Sequence, residues 1–242
     1  VSARGIRVVL FDLDDTLFAH RGSVELGLLA HRAALGGPIA AADRATEFAR
    51  WNALEEEHYH RYLGGELDFL GQRRARARGF VAPYGLDLDD ARADAWFDAY
   101  LIEYEATWRL HDDAAACLDA MDAAGTRVGI ITNGDIRFQT AKLDALGLSP
   151  RLEHVIASGS VGVAKPDPRI FEIAAAAFGE PLDSCAYVGD RLHTDAIGAA
   201  RAGMTGVWID RPGTATPEQR AEAAAAGAAV IASLAELPAL LT

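Results

Sequence analysis

Short apolar runs closed by polar or glycine positions recur along this chain, at residues 7–11, 127–131, 154–157, 184–188, 206–209 and, more weakly, 229–231. They are rich in β-branched residues and lack strict alternation, the pattern of strands buried on both faces. Helical patterns separate them. Asp112 is placed to cap a helix through Leu118 and Met121 that stops at Gly125, while stretches 136–146 and 194–202 stop at Gly147 and Gly203. Strand and helix in alternation predict an α/β fold, a Rossmann-like parallel sheet with helices on both faces.

One interval breaks that rhythm. Between Phe18 and Trp108 lie about 90 residues without a convincing strand, far more than a crossover connection needs. Helical patterning divides them into four pieces, 23–35, 42–63, 66–78 and 88–107, with breaks at Gly36-Gly37-Pro38, Gly64-Gly65 and Pro83-Tyr84-Gly85. This reads as an all-helical cap domain, residues 19–108, inserted into a catalytic core made of 1–18 and 109–242. Its insertion point follows the first strand, beside the carboxyl ends where open α/β sheets bind ligands, a place that suits a lid. The Ala-rich tail after Thr216 has a helix former's composition.

Charge and composition narrow the classes. With 23 Lys+Arg against 35 Asp+Glu, the net charge of −12 disfavours nonspecific binding to nucleic acid. The longest uncharged run near the C-terminus, 223–235, is 13 residues, too short to span a bilayer, so no membrane partner is expected. Cys117 and Cys185 stand far apart with no CxxC or Cys/His cluster, which argues against a disulfide scaffold or structural zinc and fits a reducing cytoplasm. The opening residues run directly into an apolar strand, so no signal peptide is expected, and a start at Val1 suggests a trimmed chain.

Candidate chemistry sits where the strands end. After the first one the chain reads Asp12-Leu13-Asp14-Asp15-Thr16-Leu17. A bare DxD is weak, since 21 Asp residues give roughly two by chance, and Asp87-Leu88-Asp89 is such a background case. Placement distinguishes the first: residues i and i+2 of a strand share a side, so Asp12 and Asp14 leave the sheet together into the ligand crevice. Gly189-Asp190-Arg191-Leu192-His193-Thr194-Asp195 puts two more carboxylates at a strand end. Ile131-Thr132-Asn133-Gly134 offers a hydroxyl, an amide and a permissive glycine, suited to a loop whose N–H groups face an anion. In Ser158 to Pro168, Lys165 sits just before a helix N-terminus, a place that favours anions; it is one of two lysines in a chain whose other cations are arginine.

Together, in this order, the four segments resemble the haloacid dehalogenase superfamily, in its phosphatase branch with a helical C1-type cap, over the whole chain. The resemblance implies that Asp12 is the nucleophile that becomes aspartyl-phosphate and that Asp14 is the general acid/base. It implies that Thr132, Asn133 and Lys165 bind the phosphoryl group, and that Asp12, the Asp14 carbonyl and Asp190 hold Mg²⁺, with Asp195 as a ligand or as support behind the ligands. Asp14 argues against the dehalogenase branch, and the absence of lysine from residues 1–141 against a cap Schiff base. The implied activity is Mg²⁺-dependent hydrolysis of a small phosphomonoester, a sugar phosphate or nucleotide-like metabolite. A phosphomutase and a non-catalytic binding protein are the alternatives.

Other features read as scaffolding. His58 and His60, with Glu55, Glu56 and Glu57, point about 200° apart on a helix and read as a solvated face rather than a metal cluster. Arg73, Arg74, Arg76 and Arg78 read as a charged helix surface, and Trp51, Tyr59, Tyr62 and Phe69 as packing positions. His20 and Arg21 are candidates for substrate contact at the hinge, whereas His193 is incidental. No Walker A loop, dinucleotide fingerprint or His-Glu-x-x-His is present, which removes ATP-driven, NAD-dependent and zinc-protease readings.

Overall fold

A computed structural model describes residues 5–241. Strand β1 (Val8–Phe11) is followed by helices α1 (His20–Leu35), α2 (Gly37–Ala41), α3 (Arg44–Leu63), α4 (Phe69–Val81) and α5 (Asp90–Glu105). Helix α6 (Ala114–Ala123) then leads into β2 (Arg127–Thr132), α7 (Ile136–Ala145), β3 (His154–Ala157), α8 (Ser158–Val161) and α9 (Pro168–Ala177). The chain finishes with β4 (Cys185–Gly189), a π-helical turn at Leu192–Ile197, α10 (Gly198–Ala202), β5 (Thr205–Ile209), α11 (Pro217–Ala225), β6 (Ala229–Ile231) and α12 (Leu237–Leu240). Two compact units result: one breaks off at Ala19 and resumes at Arg109, and the other is His20–Trp108.

In the first unit the six strands are all parallel, in the order β3-β2-β1-β4-β5-β6. β1 is central, with Val8 beside both Arg127 and Cys185, and every residue of β1 and β4 is buried. Because β2 and β3 lie to one side of β1 and β4 to β6 to the other, the strand order reverses between β1 and β4, the place where open α/β sheets bind ligands. Val8, Leu10, Cys185 and Tyr187 pack against Ile170, Phe171 and Ala174 of α9 and Ala199 of α10. Each Val, Leu, Ile or Phe side chain so buried contributes about 1.5–3 kcal/mol relative to exposure.

Short polar side chains start the helices. Asp135 accepts the N–H groups of Arg137 and Phe138 at the head of α7, Asp167 caps α9 with Pro168 in its first turn, and Thr216 and Gln219 form a reciprocal capping box on α11. Asp112 does not take this role for α6. Asp113 is the flanking residue, and its carboxylate turns away to Arg211, the Ser233 hydroxyl and the Leu234 N–H. Nor is 194–202 one regular helix, since a π turn over Leu192–Ile197 carries its first part.

The second unit is helical. Asp43, Asp68 and Asp89 cap α3, α4 and α5, which moves those helix starts to Arg44, Phe69 and Asp90, and Pro38 allows a short helix α2 where sequence suggested a break. Asp89 of the background DxD is thus a cap. α1 packs on α5 and α4 on both α3 and α5 around Trp51, Phe80, Trp96 and Tyr100. Two surface readings are corrected here. Arg76 is buried, its guanidinium 4.5 Å from the Trp51 ring centre and 2.7 Å from Glu55 Oε1, because the charge is satisfied inside the unit. His58 is buried as well, facing Arg61, while His60 stays exposed beside Glu56.

Candidate active site

Asp12 leaves β1 still in register with the sheet, its N–H donating to Val188 O at 2.8 Å. The chain then turns tightly. Asp15 adopts φ 59°, its N–H donates to Phe18 O at 2.7 Å, and Leu17 and Phe18 both donate back to Leu13 O. Arg211 clamps the turn from outside, donating to Thr16 O at 2.7 Å while paired with Asp113. Asp12 and Asp14 are therefore carried by a strand end and a tight turn whose flanking amides are hydrogen-bonded.

Lys165 reaches the same point from the loop before α9. Its Nζ donates to Asp12 Oδ1 at 2.6 Å, Asp195 Oδ1 at 2.8 Å and Tyr187 Oη at 2.5 Å, and Tyr187 Oη in turn donates to Ile131 O at 2.9 Å. Burial works against the Lys165 charge, but the two carboxylates outweigh it and hold its pKa above the usual range. Asp195 is fully buried, and its other oxygen accepts the Arg191 N–H at 2.9 Å. Gly189 makes room for it: a Cβ there would lie 2.4 Å from the Asp195 carboxylate. Asp190 is half-buried, and its carbonyl is fixed by the Trp208 indole N–H at 2.9 Å.

Carboxylate oxygens of Asp12, Asp190 and Asp195 lie within 4.8 Å of one another. Burial pushes the Asp12 carboxyl up to about 7; Lys165 pulls it down, and Asp195 and Asp14 add to the push. Burial, then the charges of Asp12 and Asp195, raise Asp190 well above the carboxylate range. With all four carboxyls ionised, Asp12, Asp14, Asp190 and Asp195 would outnumber Lys142 and Lys165 by two charges, which is the state that a bound cation favours and whose cost without one raises Asp12 and Asp190. An all-oxygen donor set carrying surplus negative charge fits a hard divalent cation.

Thr132 ends β2, the strand beside β1, with its hydroxyl buried and accepting from Gln139 Nε2 at 2.9 Å. The Asn133 side chain works on the neighbouring loop: its amide donates to Lys165 O at 2.9 Å and its oxygen accepts the Lys165 N–H at 2.8 Å. Asn133 thereby clamps the backbone that delivers Lys165. Asp14 is held by α7, with Lys142 Nζ 2.6 Å from Oδ1 and Gln139 Nε2 3.2 Å from Oδ2.

A family model, haloacid dehalogenase-like hydrolase, matches residues 6–203. The chain belongs to the haloacid dehalogenase-like hydrolases. Among its relatives in that family are the phosphoserine phosphatase of Thermus thermophilus, 40% identical over 85% of this chain and 89% of that protein, and the glyceraldehyde 3-phosphate phosphatase of Pyrococcus abyssi, 33% identical over 84% and 81%. The magnesium-bound crystal structure of YfnB from Bacillus subtilis superposes with a TM-score of 0.80 at 21% identity, covering 98% of this chain and 99% of that one, a likeness of fold.

For a haloacid dehalogenase-like hydrolase, the sequence-predicted residues Asp12, Asp190, Asp195 and Lys165 meet in one cluster, with Asp14 and Thr132 bridged by Gln139. Sequence reasoning missed Lys142, Gln139 and Tyr187. The signal for Lys142 was present: the chain has two lysines, and both are buried against aspartates of the DxD motif. Tyr187 was hidden because a tyrosine inside a buried strand reads as core.

Proposed function

We propose that this hydrolase is a phosphatase that removes phosphate from a small phosphorylated metabolite, using Mg²⁺ and an aspartyl-phosphate, a mixed anhydride, formed at Asp12. The observation that carries the reading is the Lys165 ammonium shared between Asp12 and Asp195 at the reversal of strand order, with the Asp14 carboxylate two residues from Asp12. A phosphate dianion approaching a carboxylate costs roughly 4 kcal/mol for each unit-charge pair at about 4 Å and an effective dielectric of about 20. Two such pairs amount to about 8 kcal/mol, so attack by Asp12 depends on positive charge beside it.

Lys165 supplies one such charge at Asp12 Oδ1. Asp12, Asp190 and the Asp14 carbonyl would hold Mg²⁺, which when bound supplies two further charges and polarises a phosphoryl oxygen. Asp195, whose oxygens are already engaged by Lys165 and the Arg191 N–H, anchors the ammonium. The Thr132 hydroxyl and the N–H groups of its loop receive the phosphoryl oxygens. Asp14 gives a proton to the leaving alkoxide and takes one from the water that hydrolyses the aspartyl-phosphate. The names of the two relatives above support a small phosphorylated acid or triose as the substrate class.

The test is Mg²⁺-dependent phosphate release from phosphoserine, glyceraldehyde 3-phosphate, phosphoglycolate and a broader panel of phosphorylated metabolites, repeated with Asp12→Asn. Turnover is expected from the wild-type protein, with none after EDTA and none from the folded variant. An Asp12→Asn protein with full activity would overturn the reading.

A further inference from the structure

Helix α7 carries Gln139 and Lys142 three residues apart, a spacing that puts both on one face, and both side chains are buried. Lys142 is 1% exposed, with its Nζ 4.7 Å from the Phe18 ring centre and 2.6 Å from Asp14 Oδ1. An ammonium taken out of water needs a charged acceptor, and Asp14 provides it. Gln139 Nε2 donates to the second Asp14 oxygen at 3.2 Å and to Thr132 Oγ1 at 2.9 Å. Gly134 leaves space for this amide, since a Cβ there would lie 3.1 Å from Nε2.

Two consequences follow from donor and acceptor chemistry. A carboxylate gripped at each oxygen by a different donor cannot turn about its own axis. A threonine hydroxyl that accepts from an amide keeps its single O–H free to donate elsewhere. One helix face thus sets the direction of both the Asp14 carboxylate and the Thr132 hydroxyl.

We infer that Lys142 and Gln139 are positioning residues for catalysis: they aim Asp14 at the proton it transfers and Thr132 at the phosphoryl oxygen. This rests on the phosphatase reading. Its mark is the half-reaction that needs Asp14. With p-nitrophenyl phosphate, an Asp12 oxygen bonds to phosphorus and p-nitrophenolate leaves with the electrons of the broken P–O bond, needing no proton. Water then bonds to phosphorus, the bond from Asp12 oxygen breaks, Asp14 takes the water proton and orthophosphate departs. Loss of aim therefore slows the second step and spares the first.

The experiment is stopped-flow and steady-state kinetics of the full chain with Mg²⁺ and p-nitrophenyl phosphate. For Lys142→Met, steady-state kcat is expected to fall about tenfold to a hundredfold, the size of effect that a misplacement near 1 Å produces, with KM falling alongside it so that kcat/KM, which reports only the first step, stays within about twofold. The first-turnover burst of p-nitrophenolate should stay within about twofold of wild type. A burst that falls in proportion to kcat, or an unchanged kcat, would overturn the inference. Gln139→Met leaves no buried charge behind and decides the matter if Lys142→Met does not fold. It should lower kcat about tenfold through Asp14 and kcat/KM severalfold through Thr132, and wild-type values for both would overturn the inference. A wild-type protein that releases neither p-nitrophenolate nor phosphate from the metabolite panel overturns the phosphatase reading and this inference with it. An active wild type with unaltered variants overturns this inference alone.

Discussion

Lys165 Nζ stands 2.6 Å from Asp12 Oδ1, with the two side chains 3% and 11% exposed, so the carboxylate and its counter-charge are buried as a pair. Asp195 completes a triad in which one ammonium faces two carboxylates. Breaking a buried pair leaves an uncompensated charge, which costs about 3–5 kcal/mol. Lys165→Met is therefore expected to lose activity and about that much stability in chemical denaturation. Adding Asp12→Asn removes one orphaned carboxylate, so the double variant should regain part of the stability and none of the activity. Equal stability in the wild-type and Lys165→Met proteins would show that the triad is not held as described.

Gly189→Ala is a steric test of the same cluster. Its Cβ would lie 2.4 Å from the Asp195 carboxyl carbon, and Asp195 is fixed by Lys165 and the Arg191 N–H. The side chain cannot yield without losing those bonds, so a loss of about 1–3 kcal/mol is expected from overpacking, with phosphate release reduced in step. A variant that melts and turns over like wild type would contradict the close approach.

Cation binding should be visible without turnover. A cation that binds only the folded protein stabilises it by about 2.7 kcal/mol at a concentration a hundredfold above its dissociation constant. For a chain of this length that is a rise in Tm of about 5–10 °C. Calorimetry with Mg²⁺ is expected to show the rise in wild type and to lose most of it in Asp190→Asn. The same rise in both would remove Asp190 from the cation site.

A pH effect is expected from the helical unit. His31 is buried, its Nε2 has no hydrogen-bond partner among the described residues, and its ring centre lies 4.5 Å from that of Trp96. Burial pulls its pKa down from 6.5 to about 4. Between those values the unfolded chain binds more protons than the folded one, so stability rises with pH through that window and is lost as pH falls below about 6.5. The full contribution is about 3 kcal/mol at most. Denaturation midpoints measured from pH 4 to pH 7 should show this slope in wild type and a shallower one in His31→Phe; parallel curves would exclude His31 as its source.

Much of this protein was legible in one dimension. The five clearer apolar runs became β1 to β5 within a residue or two, and the weakest became β6, because a strand buried on both faces must be apolar at every position. Asp135, Asp167 and Thr216 start helices through bonds to residues two or three positions on, which local sequence encodes. Asp12, Asp14, Thr132 and Asp190 could be singled out as candidates because parallel strands deliver their carboxyl ends to one edge. Partnership over long separations was decided only by the tertiary structure. Lys142 meets Asp14 across 128 positions, Tyr187 joins Lys165 from within a strand, and Asp113 leaves its helix for Arg211 and Ser233. The same holds for Arg76, a surface charge by pattern that packing turned into a buried one. Periodicity records which face of an element avoids water; which polar group waits on that face depends on elements that come together only when the chain folds.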